Sequence, residues 1–166
     1  MTILGEKVII LENRIKQWLS EEGILGQIVD DENANFHFIV KYPEDHVIDI
    51  IQPKGKKDLV LVVCATSVSP EHLSKIRELS ESKKEEFLWQ IRFSLNKFLV
   101  DFQLEHPGNV LESYIVTDEI YSDALTKDKL ISTIKKVFKA KLHVLWLIQK
   151  RFGEKEDKIH EDTMYV

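Results

Sequence analysis

Between residues 35 and 65 the chain places three strand-length apolar runs in quick succession, and nothing else in it restricts the fold as much. In 35–42, Phe36, Phe38, Val40 and Tyr42 alternate with His37, Ile39 and Lys41, the period of two that marks a strand with one buried face. In 47–52, Ile48 and Ile50 lie opposite Val47, Asp49 and Ile51. The third run, LVLVVCA at 59–65, is apolar throughout, which predicts cover on both faces or a central place in the sheet. The links PEDH and PKGKKD are too short for a crossover, so these strands must be antiparallel neighbours.

The remaining chain reads mainly as helix. Val8, Leu11, Ile15, Trp18 and Leu19 share one face of a helix over 6–22, closed by Gly23 and the apolar Ile24, and 25–29 suits a short strand. Ser69-Pro70 opens a short helix lined by Leu73, Ile76 and Leu79. Ser82-x-x-Glu85 matches a capping box and predicts a long helix over 82–106, around which the rest of the chain is expected to be organised. At 100° per residue, Phe87, Leu88, Ile91, Leu95, Phe98, Leu99 and Phe102 share its broad arc, which is expected to cover the sheet. Trp89, Phe93, Val100 and Leu104 form a narrower stripe that either packs on the final helix or, with Trp146, meets a partner. After Pro107-Gly108-Asn109 a strand is expected over 110–117, and 118–125 reads as irregular, although 119–121 could continue as extended chain. The last helix runs from Thr126 to about Arg151. Its apolar side is expected to hold Phe138 and Trp146, and its other side Lys135, Lys136, Lys139 and Lys150. Lys141 falls within the apolar arc and needs a partner or a route to solvent. These elements predict an α+β, two-layer domain over 1–152. Its antiparallel sheet, the meander plus one or two further strands, is covered by long helices, and a charged, flexible tail follows at 153–166.

Chemistry is harder to find than architecture. Cys64 is the one cysteine, so neither an intramolecular disulfide nor a thiolate cluster can form, and its apolar surroundings suit a small buried side chain. The six histidines are dispersed, without metal-ligand spacing. Asp49 could serve a nuclease needing an acid on the second strand and Glu-x-Lys on the third, but LVLVVCA offers neither. No Gly-x-Ser-x-Gly elbow or glycine-rich phosphate loop is present. Catalytic, cofactor-binding and metal-binding residues are therefore not assigned, and no cofactor is expected. Net charge is −5, yet residues 127–151 hold eight Lys or Arg against Asp128 alone. Arg151 is the one guanidinium among those eight, which disfavours nucleic acid as a partner. With no basic-then-apolar leader and no apolar run of about 18 residues, a cytoplasmic protein without a membrane partner is expected.

Two functional readings follow. One is a non-catalytic protein-binding or chaperone-like domain, meeting a second copy or a protein client through Trp89, Phe93, Val100, Leu104 and Trp146. The alternative is a small-molecule-binding or enzymatic domain with its site between sheet and helices, motivated by polar strand residues such as His37 and Asp49.

The order of KVIILENRIKQWLSEEG, FHFIVKY, HVIDIIQ, DLVLVVCATSV, FLWQIRFSLNKFLVDF and a final helix resembles the type III secretion chaperone-like fold. It is also similar to an uncharacterised archaeal domain family with that architecture. The resemblance covers about residues 6–152 and rests on order and pattern, without a short motif. It implies a non-catalytic protein-binding domain, not a secretion role. The sequence shows one strand after the central helix where those chaperones usually have two.

Overall fold

The computed structural model describes residues 3–153. Helix α1 (Ile3–Glu21) turns Leu11, Ile15 and Leu19, spaced four apart, into the core. It ends as its sequence predicts. Gly23 takes a φ of 68°, its N–H donates to the Ser20 carbonyl, and the Ile24 N–H reaches back to Leu19, both at 3.0 Å. This paired closure satisfies two carbonyls that the helix end would otherwise leave bare.

Six strands follow: β1 (Leu25–Ile28), β2 (Ala34–Lys41), β3 (Val47–Pro53), β4 (Leu59–Ser67), β5 (Asp101–Glu105) and β6 (Ser113–Tyr121). They form one sheet in the order β1-β2-β3-β4-β6-β5, with every neighbouring pair antiparallel. Register aligns Phe38 with Ile50, Ile50 with Val62, and Cys64 with Val116, so the buried residues of four strands meet on one face. On that face lie α1, α2 (Pro70–Arg77), α3 (Glu81–Asn96) and α4 (Lys127–Phe152). The structure is thus an α+β, two-layer arrangement, as the strand and helix order requires. β4 is central, one of the two placements its LVLVVCA run predicts: Val60, Val62 and Cys64 are buried on the helix side, while on the other face Leu59 is buried, Leu61 and Val63 are part-buried and Ala65 is exposed.

The long helix over 82–106 is not what forms. α3 begins earlier, with the Ser80 hydroxyl accepting from the Lys83 N–H, and stops at Asn96. Leu99 then takes a left-handed φ of 55°, and 101–105 leaves as strand β5, paired along β6 from Asp101↔Thr117 to Glu105↔Ser113. The reason is visible in Phe98-Leu99-Val100-Asp101-Phe102-Gln103-Leu104-Glu105, which alternates apolar and polar with period two from Val100 onward. An edge strand gains ladder hydrogen bonds and places Phe102 and Leu104 toward the core, which a further helical turn cannot do here. Two strands therefore follow the central helix, not one, and β6 includes the 119–121 continuation.

α4 starts at Thr126, whose hydroxyl accepts from the Lys129 N–H at 3.1 Å. Its far end is tied to α2. His72, buried, meets the Ser69 hydroxyl with Nδ1 at 3.0 Å and the Gly153 carbonyl with Nε2 at 2.9 Å. Lys75 Nζ donates to the Phe152 carbonyl at 2.7 Å. Lys141 finds the partner its position demands, donating to His46 Nδ1 at 3.2 Å. Burial, and then the Lys141 charge, hold the His46 pKa down, in keeping with a neutral ring that accepts. Cys64 is buried, with its thiol directed at the Val47 carbonyl, and burial pushes its pKa up, against a reactive role. The tail expected over 153–166 lies, beyond Gly153, outside the described residues.

Candidate protein-binding surface

Of the five residues expected to face a partner, the structure divides three from two. Val100 is buried at 7% exposure, and Leu104 on β5 is packed against the core. With α3 ended at Asn96, these two no longer share a stripe with Trp89 and Phe93, and they are withdrawn as partner-binding residues. Trp89, Phe93 and Trp146 are 47%, 63% and 55% exposed. For Trp146 this also overturns its expected place on the apolar side of α4.

Trp89 and Phe93 stand one turn apart on α3, opposite the buried row Phe87, Leu88, Ile91 and Leu95. Their rings lie 5.6 Å apart at an interplanar angle of 32°. The Arg92 guanidinium sits over Trp89 at 4.9 Å, and the same group donates to His106 Nε2 at 3.1 Å. The arginine is thereby held between the His106 ring and the indole face of Trp89. Held aromatics lose little side-chain entropy when covered, which is what gives such anchors their weight in interfaces. Covering both rings would contribute on the order of 3–6 kcal/mol before the cost of association. Leu99, 83% exposed at the end of the same helix, adds a large apolar side chain at a left-handed backbone position. Sequence periodicity missed it by counting it into the sheet-covering arc. The role of Arg92 depends on His106, a residue that no helical spacing connects to it.

The reading with a site between sheet and helices meets a packed interior. Among the described residues Thr66 Oγ1 is buried without a hydrogen-bond partner, the buried Tyr114 hydroxyl donates to the Lys141 carbonyl, and the other buried polar side chains are Gln52, His72 and Thr133. Each of these three is spent locally: Gln52 donates to the Lys57 carbonyl, His72 binds Ser69 and Gly153, and Thr133 donates to the Lys129 carbonyl. These groups do not converge on one space. A shallow concavity lined by Asp58, Glu119, Tyr121, Asp123 and Lys129 opens at the end of β6, away from that interior.

His37 and Asp49 lie on the other, helix-free face of the sheet, where Ile39, Ile51, Leu61, Val63 and Ile115 are part-buried. His37 bridges two carboxylates, Asp31 through Nδ1 at 3.0 Å and Asp49 through Nε2 at 2.7 Å. Both ring nitrogens thus face carboxylate oxygens. That occupies the ring fully and leaves no free nitrogen for a metal or a nucleophile. No group of three His, Cys, Asp or Glu among the described residues is arranged to hold a metal ion. The Asn33 backbone N–H, and then His37, hold the Asp31 carboxyl below the usual carboxylate range. A depressed carboxylate stabilises the folded state above its unfolded pKa and loses that contribution as pH falls through the lower, folded value. Below about pH 4 the turn before β2 should therefore loosen first. The Asn33 amide resonance should report it, and Asp31→Asn should abolish this acid step.

Comparison with known proteins gives three findings. Residues 11–148 match the family described as Uncharacterized conserved protein (DUF2299). Among solved structures, the chain is 65% identical to an uncharacterized protein from Methanothermobacter thermautotrophicus. That alignment covers 86% of this chain and 99% of that one, with a TM-score of 0.85. YbjN from E. coli aligns over 84% of this chain and 90% of its own, at 11% identity and a TM-score of 0.44. A search of curated proteins gives no match. No helix among the described residues is long and apolar enough to cross a membrane.

Proposed function

The chain belongs to the DUF2299 family of uncharacterized conserved proteins, and we propose that it is a non-catalytic protein-binding domain whose contact surface centres on Trp89 and Phe93 of α3. The observation that carries this is the pair itself: two large aromatics, tilted against each other at 5.6 Å and left 47% and 63% exposed, with Arg92 over Trp89, while the opposite side of the same helix is used by the core. A solvent-only helix face gains nothing from aromatics, whereas exposed apolar groups rimmed by polar ones suit a partner. The expected client is an unfolded or partly folded chain offering apolar side chains, or a second copy of this protein.

Light scattering tests this. The protein should slow the aggregation of chemically denatured citrate synthase at near-stoichiometric ratio, or self-associate as concentration rises. In either case Trp89→Ser with Phe93→Ser should weaken the effect at least fivefold without lowering thermal stability. A monomer at all concentrations that leaves the client's aggregation untouched contradicts the proposal.

A further inference from the structure

The outer side of α4 is a second surface, carried by different residues. Lys135, Lys139, Trp146 and Lys150 stand at i, i+4, i+11 and i+15, within an arc of about 60° at 100° per residue. They make a ribbon about 22 Å long at 1.5 Å per residue. The three lysines are exposed and Trp146 is 55% exposed between them, with His143 at its edge. From Lys129 to Lys150 the helix carries no acid at all, in a chain whose net charge is −5. The fourth outward cation, Lys136, is directed elsewhere, to Asp118 within β6. A helix facing only water gains nothing from an unmixed cationic stripe built around an indole. Lys136 shows that an ion pair with the sheet is within reach of this helix, while no described acid is paired with the three ribbon lysines.

We propose that this ribbon docks an acidic protein segment that presents an apolar side chain to Trp146. Charge complementarity selects the partner's sign, and the spacing of the lysines selects its shape. Acids spaced by about one turn and then about three turns on a partner helix, or spread along about seven extended residues, meet Lys135, Lys139 and Lys150 in turn. Lysine is a point charge that suits scattered carboxylates, and the ribbon has no arginine for forked contacts to phosphate. The indole supplies an apolar contact that a purely ionic site lacks, and so distinguishes an amphipathic acidic segment from any polyanion. This surface goes beyond the Trp89–Phe93 reading and stands or falls without it.

Fluorescence anisotropy of the full chain, with a labelled 12-residue peptide of glutamates around a central Phe-Leu pair, tests the assignment. The peptide should bind at 50 mM salt, at least tenfold less tightly at 300 mM, and severalfold less tightly to Trp146→Ala. Lys135→Glu with Lys139→Glu and Lys150→Glu should weaken it at least tenfold. The matched reversal Lys54→Glu with Lys56→Glu and Lys57→Glu, on the turn between β3 and β4, should weaken it less than threefold although net charge changes equally. Three outcomes overturn the proposal: no binding at 50 mM salt, equal loss in both triple variants, or tighter binding of a 12-nucleotide oligo-dT than of the peptide.

Discussion

Phe87→Ala should destabilise the protein by about 3–5 kcal/mol, lowering the Tm by roughly 10 °C or more, while Phe93→Ala, six residues along the same helix, should shift it by no more than about 0.5 kcal/mol. The two rings differ in what they touch. Phe87 is 1% exposed, edge-on to Phe152 at 5.2 Å and covered by the Arg151 guanidinium at 5.2 Å. Its removal leaves a cavity where α3 meets the end of α4, in a region closed by rigid elements that cannot collapse far. Phe93 is 63% exposed beside Trp89, so its removal opens no enclosed cavity. Paired thermal or urea unfolding of the two variants measures the difference. Equal losses would mean that Phe93 is a packing residue, and the binding surface would lose its centre.

The second large effect is at His72. His72→Ala should cost about 2–3 kcal/mol, because a buried ring is lost together with both of its hydrogen bonds. The change is local in origin. Phe152 is the last residue of α4 and Gly153 its C-cap; their carbonyls have no intrahelical donor, and Lys75 and His72 supply the donors from α2. Hydrogen exchange of amides 148–152 should therefore accelerate well before exchange at β4 changes. Uniform acceleration across the sheet would instead place His72 in the global core.

The histidine that matters most to the fold was legible only as one of six scattered rings. Its partner lies 81 positions along the chain, and no local pattern announces such a pair. Local signals fared better. Gly23 with Ile24, Ser69-Pro70 and Thr126 each act as the sequence predicts, since a cap is made within a few residues of itself. The meander was equally legible, because alternation and short links leave one pairing. The stretch after Asn96 was misread for a physical reason. Residues with period two can still populate a helical arc when the arc is broad, and Phe98, Leu99 and Phe102 did so. What decides between the two is the free edge of β6, a tertiary fact absent from 97–105 themselves. Trp146 departs from its expected place on the apolar side of α4 because its angle falls among Lys135, Lys139 and Lys150. The His37 bridge depends on register across β2 and β3 and on the turn before β2, so its two carboxylates could not be brought together from spacing alone.

The surface that remains is therefore smaller than the one the sequence offered, and more specific. It is a turn of α3, not a stripe along a domain-length rod, and its aromatic pair is braced by Arg92 against His106. The most direct measurement reads Trp89 itself, in protein carrying Trp18→Phe and Trp146→Phe, by fluorescence emission and acrylamide quenching. Free protein should show the red-shifted, readily quenched emission of a solvated indole. On adding denatured citrate synthase, or on raising protein concentration, the emission should shift to the blue and quenching should fall at least twofold, and Phe93→Ala should suppress both changes. Emission and quenching that stay the same under both conditions, while the protein still suppresses aggregation or self-associates, would place binding elsewhere and contradict the account.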